Sequence, residues 1–230
     1  MSEANYKYLA PSELILLNGV RFGQGRWKYK RWEFKGEIAS NKGQKVNDLI
    51  LGRAILIGSL LAAEQSGSIR LEFFKEKKIL GLFGGAEWLF VEPMGAMHHL
   101  PTRSFEAQFY LRTRPTLPKE IYEFVDRWVK LGRWSRWSQL TGAHKVIESV
   151  RAGLVDREAL IRSEKKRFKI FTLTSYEVAA KTTERINQDD IASLQGLLFE
   201  CQETRPKTWA RMVKGVDEAL NFHTPQLDVD

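Results

Sequence analysis

The amino-acid sequence predicts a mostly α-helical fold, a single helical-bundle-like domain with two or three β-hairpins. Apolar residues recur at helical spacing through several long segments, and two shorter segments alternate in the manner of paired strands. No linker rich in proline, glycine or serine divides the chain. We therefore expect one domain over residues 9–222, with an N-terminal tail of residues 1–8 and a C-terminal tail of residues 223–230.

Length and composition are those of a globular protein with a basic surface. The 230 residues are enough for one sizeable core or two small ones, and 43% of them are hydrophobic. Lysine and arginine number 36 against 28 acidic residues, a net charge of +8. This excess favours anionic partners, either nucleic acid or acidic lipid, although a charge of this size also simply keeps a domain in solution.

The single cysteine and the apolar runs bear on the compartment. Cys201 cannot form an internal disulfide, which fits a reducing compartment, and we expect it to fill the core. The N-terminus lacks the apolar stretch of a signal peptide. The longest apolar run, residues 54–63, is about half a membrane span. We expect a cytoplasmic protein that lies on a membrane without crossing it.

The N-terminal half begins with a short helix over residues 9–20, started by Pro11 and Ser12 and ended by glycines. Basic and aromatic residues then alternate over residues 26–45, which predicts a strand or an exposed ribbon. A helix over residues 48–64 is apolar nearly all round and is therefore expected to be buried, with Asn47 or Asp48 as its N-cap.

A β-hairpin is predicted next, over residues 69–82, with a Lys/Glu turn at residues 75–78. Glycines and prolines predict an irregular region over residues 84–101. A second hairpin is expected over residues 168–178, reached through a charged turn at residues 162–169. Helical spacing predicts four helices in the second half, over residues 119–131, 141–161, 189–201 and 207–220.

Signals for catalysis are weak. His98 and His99 are adjacent, but no cysteine or third histidine stands at metal-ligand spacing, so a surface loop is the better interpretation. Residues 81–85 resemble part of a phosphate-binding loop without its Gly-Lys-Ser/Thr sequence. We therefore predict no catalytic residue, no metal, no cofactor and no enzymatic activity.

Basic and aromatic residues concentrate in three segments, residues 26–45, 127–151 and 162–169. Lysine and arginine attract phosphates, and indole rings favour the boundary between water and acyl chains. Each basic residue near an anionic bilayer contributes about 1 kcal/mol, so several acting together hold a domain there. The alternative is a set of solvated helix faces with buried tryptophans. In the first segment, the predicted membrane-surface contacts are Trp27, Lys30, Arg31 and Trp32.

Residues 154–178 resemble, without gaps, the helix-to-hairpin segment of the Golgi phosphoprotein 3 family. The matching positions are Leu154-Val155-Asp156-Arg157, Leu160, Ser163-Glu164-Lys165, Ile170-Phe171 and Thr174-Ser175-Tyr176. Glu158 replaces the family's glycine. Residues 9–17, 47–71 and 118–134 are also similar to family segments in the same order, so the resemblance covers roughly residues 9–178.

The resemblance implies a mostly helical domain that docks on membranes by gripping a phosphoinositide headgroup, at the Golgi if the source is eukaryotic. It also implies cytoplasmic tails of membrane proteins as partners. By position, Lys145 matches the first basic residue of the family's headgroup pair and Arg53 lies near its central-helix arginine. Arg151, one turn beyond Glu148, is the expected substitute for the second basic residue. Glu148 stands where the family has a second basic residue, and Val46 stands where it has an aromatic one. Loss of one of the basic pair predicts either a general anionic-surface binder in place of a selective pocket or no site at all.

The predicted function is therefore a non-catalytic peripheral membrane protein that binds anionic lipid, with a phosphoinositide-type headgroup as the implied ligand. One alternative is a nucleic-acid-binding module in which Trp27 and Trp32 stack on bases. Another is a scaffold whose hairpin pairs with a second copy of the chain to form a homo-oligomer.

Overall fold

A computed structural model describes residues 9–23, 36–37, 45–75, 87–95, 100–101, 103–113, 117–130, 141–167 and 171–222. The helices of this part of the chain are α1 (Pro11–Leu17), α2 (Gly19–Gly23), α3 (Asp48–Gln65), α4 (Phe105–Thr113), α5 (Ile121–Lys130), α6 (Gly142–Asp156), α7 (Ala180–Thr183), α8 (Gln188–Thr204) and α9 (Pro206–Phe222). The strands are β1 (Gly36–Glu37), β2 (Lys45–Val46), β3 (Ile69–Lys75), β4 (Glu87–Pro93), β5 (Lys119–Glu120), β6 (Leu160–Arg167) and β7 (Phe171–Val178). The predicted mostly helical architecture with small antiparallel sheets is confirmed for these residues.

The central element is α3, which contacts α1, α6, α8 and α9. Its side chains are buried from Leu51 to Leu61, as the apolar sequence predicts. The Asn47 side chain caps the helix, because its Oδ1 accepts the backbone N–H groups of Leu49 at 2.9 Å and Ile50 at 3.3 Å. The predicted cap and the predicted burial of this helix are both confirmed.

An aromatic cluster joins α4 to α5 within the core. The Trp128 ring stacks on Phe105 with their centroids 5.1 Å apart and lies 4.8 Å from Phe109. Phe124 meets Phe109 edge to face at 4.9 Å. Such pairs contribute roughly 0.5–1.5 kcal/mol beyond their burial, so this cluster stabilises the packing of α4, which the sequence analysis does not predict.

The first hairpin differs from its prediction. β3 begins where expected, but it pairs with β4, which lies in the region predicted to be irregular, and β4 also pairs with β5. In β4, Leu89 and Val91 are buried while Trp88 is exposed, the alternation of a half-buried strand. The predicted second strand at residues 79–82 lies outside the described residues. Pro93 is the last residue of β4, so it ends the strand without interrupting it.

The end of α6 also differs from its prediction. The helix ends at Asp156, earlier than the expected residue 161, because Glu158 takes a left-handed backbone conformation with φ 55°. The Ala159 N–H then donates to the Leu154 carbonyl at 2.8 Å and closes the helix. The chain enters β6 at Leu160, so the predicted charged turn is mostly strand.

Candidate anionic-surface site

The β6–β7 hairpin begins inside the protein and extends out of it. Its strands pair in antiparallel register from Leu160–Val178 to Arg167–Phe171. Leu160 is only 2% exposed, whereas every residue from Ile161 to Glu164 is exposed. Because successive strand residues point to opposite faces, both faces of β6 meet solvent over residues 161–164. Ile161 is 55% exposed, which is unusual for so large an apolar side chain.

Basic residues dominate β6. The strand contains Arg162, Lys165, Lys166 and Arg167, with Glu164 as its only acidic residue. Arg162 donates to Glu164 at 2.6 Å, so one of these cations is already paired. The register sets residue 165 opposite Leu173 and residue 167 opposite Phe171. The outer part of the hairpin therefore combines positive charge with apolar residues.

A cluster at the hairpin base attaches it to α6. Arg151 donates to Glu148 at 2.5 Å, and its guanidinium carbon lies 5.1 Å from the centre of the Tyr176 ring. The Tyr176 hydroxyl donates to the other Glu148 oxygen at 3.2 Å. Burial raises the pKa of Tyr176, and the Glu148 carboxylate raises it further. The Tyr176 hydroxyl is thus kept neutral and acts as a hydrogen-bond donor. Across the hairpin, Tyr176 pairs with Arg162 of β6.

The same network reaches the start of α3 through a histidine. His144 Nδ1 lies 3.4 Å from Asp48 Oδ2, and its Nε2 lies 3.8 Å from Glu148 Oε1. Glu148, which stands where the resemblance has a basic residue, therefore faces Arg151, Tyr176 and His144 together. An anion approaching Arg151 has to compete with this carboxylate.

The predicted headgroup residues lie in different surroundings. Arg53 is 4% exposed, and its Nε donates to Asp217 of α9 at 2.6 Å. Arg151 lies at the hairpin base, and Lys145 is half-buried on the same helix as Arg151. Val46 is buried, with 8% of its surface exposed. The predicted surface contacts Trp27, Lys30, Arg31 and Trp32 lie outside the described residues, as do His98, His99 and the loop of residues 81–85.

The sequence analysis misses a buried ionic cluster next to the hairpin. Glu13 of α1 forms an ion pair with Arg157, the residue that caps α6, and both side chains are almost wholly buried. Burial raises the pKa of Glu13 to about 7, although Arg157 opposes the shift. Its only signal in the sequence is a glutamate among the apolar residues of the first helix.

A second carboxylate completes this cluster. Glu106 of α4 is 1% exposed and accepts the hydroxyls of Ser12 and Ser59, each at 2.8 Å. It also accepts the Ser12 backbone N–H at 2.8 Å. The cluster therefore links α1, α3 and α4 to Arg157, three residues before the hairpin, and it stabilises the base of the candidate site.

Metal-ligating groups and membrane-spanning helices are both absent from the described residues. Within the described ranges, no group of three or more histidine, cysteine, aspartate or glutamate residues is arranged to hold a metal ion. None of the helices described above is long and apolar enough to cross a bilayer.

No protein-family model matches the sequence, and comparisons with curated proteins and with solved structures find no significant similarity. The resemblance to the Golgi phosphoprotein 3 family therefore stays a prediction.

Proposed function

We propose that this protein is a non-catalytic peripheral membrane protein that binds anionic membrane surfaces through the β6–β7 hairpin. The observation that supports the proposal is the extension of this hairpin beyond the core, with Ile161 exposed and four basic residues along β6. Residues 161–164 are exposed on both faces of the strand, so a flat surface reaches Ile161 and Arg162 without any rearrangement of the fold.

The energies involved are sufficient for reversible binding. Each basic residue close to an anionic bilayer contributes about 1 kcal/mol, and an apolar residue that enters the headgroup layer adds the free energy of its burial. The hairpin offers both contributions, since Ile161 is exposed on the same strand as the basic residues. Four cations on β6, partly offset by Glu164, therefore give a net attraction of roughly 3 kcal/mol.

Binding to a general anionic surface agrees better with this geometry than a selective headgroup pocket. Arg53 is buried against Asp217, and Arg151 is engaged by Glu148 and Tyr176. A phosphorylated headgroup that contacts Arg151 has to displace the Glu148 carboxylate. Lipid charge density, more than headgroup chemistry, should therefore set the affinity.

Vesicle flotation with charge-removing variants tests the proposal. The wild-type protein should float with vesicles of phosphatidylcholine and phosphatidylserine and should remain behind with vesicles of phosphatidylcholine alone. Removing three hairpin cations should lower the partition coefficient by roughly 100-fold, because about 3 kcal/mol of attraction is lost. The hairpin variant combines Arg162→Gln, Lys165→Gln and Lys166→Gln.

A matched control removes three positive charges from exposed positions outside the hairpin. The two variants then have the same net charge and differ only in where the charges were removed. The control should keep most of the wild-type partitioning. Equal flotation of both variants, or equal recovery of the wild type on neutral vesicles, would refute the proposal. Salt-sensitive binding to single- or double-stranded nucleic acid without vesicle binding would favour the alternative. The control combines Arg70→Gln, Lys130→Gln and Arg185→Gln.

A further inference from the structure

A cleft of ≈ 230 Å³ lies between β4, the start of α5 and α9. None of these elements belongs to the β6–β7 hairpin. The lining of the cleft combines an indole ring, apolar side chains and charges of both signs. This volume lies below the usual range for drug-sized ligands, so the cleft suits a small molecule or a single side chain. The lining residues that matter for its chemistry are Trp88, Glu120, Ile121, Arg211, Lys214 and Glu218.

The floor of the cleft is a close contact between two helices. A Cβ atom placed on Gly215 of α9 would lie 2.5 Å from Ile121 Cγ2 and 3.2 Å from the Tyr122 backbone nitrogen. Only glycine allows α9 to approach α5 this closely. The two walls are therefore fixed relative to each other by packing.

Glu120 is the acidic group of the cleft that is least compensated. Within the part of the chain that the structure describes, its carboxylate has no hydrogen bond and no salt bridge. Burial raises the pKa of Glu120, and the nearby carboxylates of Glu123 and Glu218 raise it further. Arg211 and Lys214 oppose the shift without cancelling it. The surroundings of the Glu120 carboxylate therefore favour the binding of a further cation.

The two basic residues of the lining already have partners. The Arg211 guanidinium carbon lies 6.0 Å from the centre of the Trp88 ring. Lys214 Nζ lies 3.7 Å from Glu218 Oε1, one helical turn along α9. An incoming anion would have to compete for these cations, whereas an incoming cation finds Glu120 available.

Aromatic residues lie on the same face of the sheet as Glu120. Glu120 is the direct cross-strand partner of Phe90, so the two share one face of the sheet. Phe90 meets Phe74 edge to face at 5.0 Å, and Trp88 lies two residues from Phe90 on that face. Phe74 and Trp88 are 44% and 39% exposed. An organic ammonium group is attracted both to a carboxylate and to aromatic rings.

We propose that this cleft binds a small organic ammonium ion, with the charged nitrogen against Glu120 and the apolar substituent against Trp88 and Ile121. The ion pair supplies the charge selectivity, and the aromatic and aliphatic walls supply the contact area. The ligand is either a free amine or the side chain of a lysine in a peptide, since both carry the same group. This site is independent of the membrane-binding hairpin.

Titration followed by calorimetry tests the proposal on the full-length protein. The probe is phenethylammonium, and its matched comparisons are the neutral 2-phenylethanol and the anionic 3-phenylpropionate. The ammonium should bind at least about tenfold more tightly than either comparison. A capped peptide with one lysine, titrated in parallel, distinguishes the two sources. Tighter binding of the peptide indicates a protein segment, and tighter binding of the free amine indicates a metabolite.

Variants locate the binding at the cleft. Glu120→Gln should weaken ammonium binding by about tenfold, and Trp88→Leu should weaken it by several-fold. Glu123→Gln is the matched control, because Glu123 is an exposed neighbour that does not line the cleft. Thermal unfolding verifies that each variant folds. Stronger binding of the anion, no binding of any probe, or an equal effect of Glu120→Gln and Glu123→Gln would each overturn the proposal.

Discussion

Arg157, the residue that caps α6, forms an ion pair with Glu13 of α1 in which the two side chains are 3% and 0% exposed. Glu106, which is also buried, lies close enough for its charge to raise the pKa of Glu13 further. One cation cannot balance two full negative charges in an apolar interior. The cluster therefore favours the protonated form of Glu13. Burial raises the pKa of this carboxyl to about 7.

The first prediction concerns stability against pH. Because the pKa of Glu13 rises from 4.5 to about 7 on folding, the folded state binds more protons than the unfolded state between these values. The free energy of unfolding should therefore fall as pH rises from about 5 to about 7.5, with Glu13 contributing on the order of 3 kcal/mol to the change. Urea unfolding at a series of pH values measures this slope.

The variant Glu13→Gln isolates this contribution, since the amide does not titrate. Its overall stability is expected to differ from wild type, but its stability should depend less on pH over the same range. The matched control Glu203→Gln, at an exposed position of α8, should keep the wild-type dependence. Parallel pH profiles for Glu13→Gln and the wild type would show that Glu13 does not hold the proton.

The second prediction concerns the ion pair between Arg53 and Asp217. Arg53 is 4% exposed, so replacing Asp217 by alanine removes the charge partner of a buried guanidinium. We expect Asp217→Ala to lower the free energy of unfolding by about 3 kcal/mol. Glu218→Ala is the control, because Glu218 is half exposed and pairs with Lys214 at the surface, where a loss below about 1 kcal/mol is expected.

The same variant tests the headgroup role predicted for Arg53. If Arg53 contacts lipid phosphate, loss of Asp217 releases it and raises the affinity for acidic vesicles. We expect instead that folded Asp217→Ala protein floats with acidic vesicles as the wild type does, because the hairpin supplies the contact. An increase in flotation that is specific to vesicles containing a phosphoinositide would show that Arg53 contributes to headgroup binding.

Much of the helical framework could be predicted because burial leaves a local pattern. The long helices α3, α8 and α9 are predicted within a few residues of their observed ends, since each presents apolar residues at helical spacing. Asn47 is recognisable as a cap for the same local reason. The end of α6 is not, because Glu158 adopts a left-handed conformation for which sequence patterns favour glycine.

The candidate sites depend more on contacts between residues that are far apart in the chain. The basic residues of the hairpin are visible as a local run, but their position on a strand that leaves the core is not. Ser12 and Glu106 are 94 residues apart and meet through a hydrogen bond that no spacing predicts. The burial of Arg53 by Asp217 is hidden for the same reason.

The third prediction compares the same substitution at two helical glycines. A Cβ atom on Gly153 of α6 would lie 2.6 Å from the backbone oxygen of Arg103. Because this contact is with the backbone, no side chain can rotate to relieve it. Gly153→Ala should therefore destabilise the protein by about 1–3 kcal/mol and loosen the packing of α6 below the hairpin. Gly196 of α8 has nothing within 4 Å of its Cβ position, so Gly196→Ala should stabilise by about 0.5–1 kcal/mol through helix propensity alone. Chemical unfolding of both variants should give changes of opposite sign. Stabilisation by Gly153→Ala would mean that the segment before α4 does not pack against α6 as described.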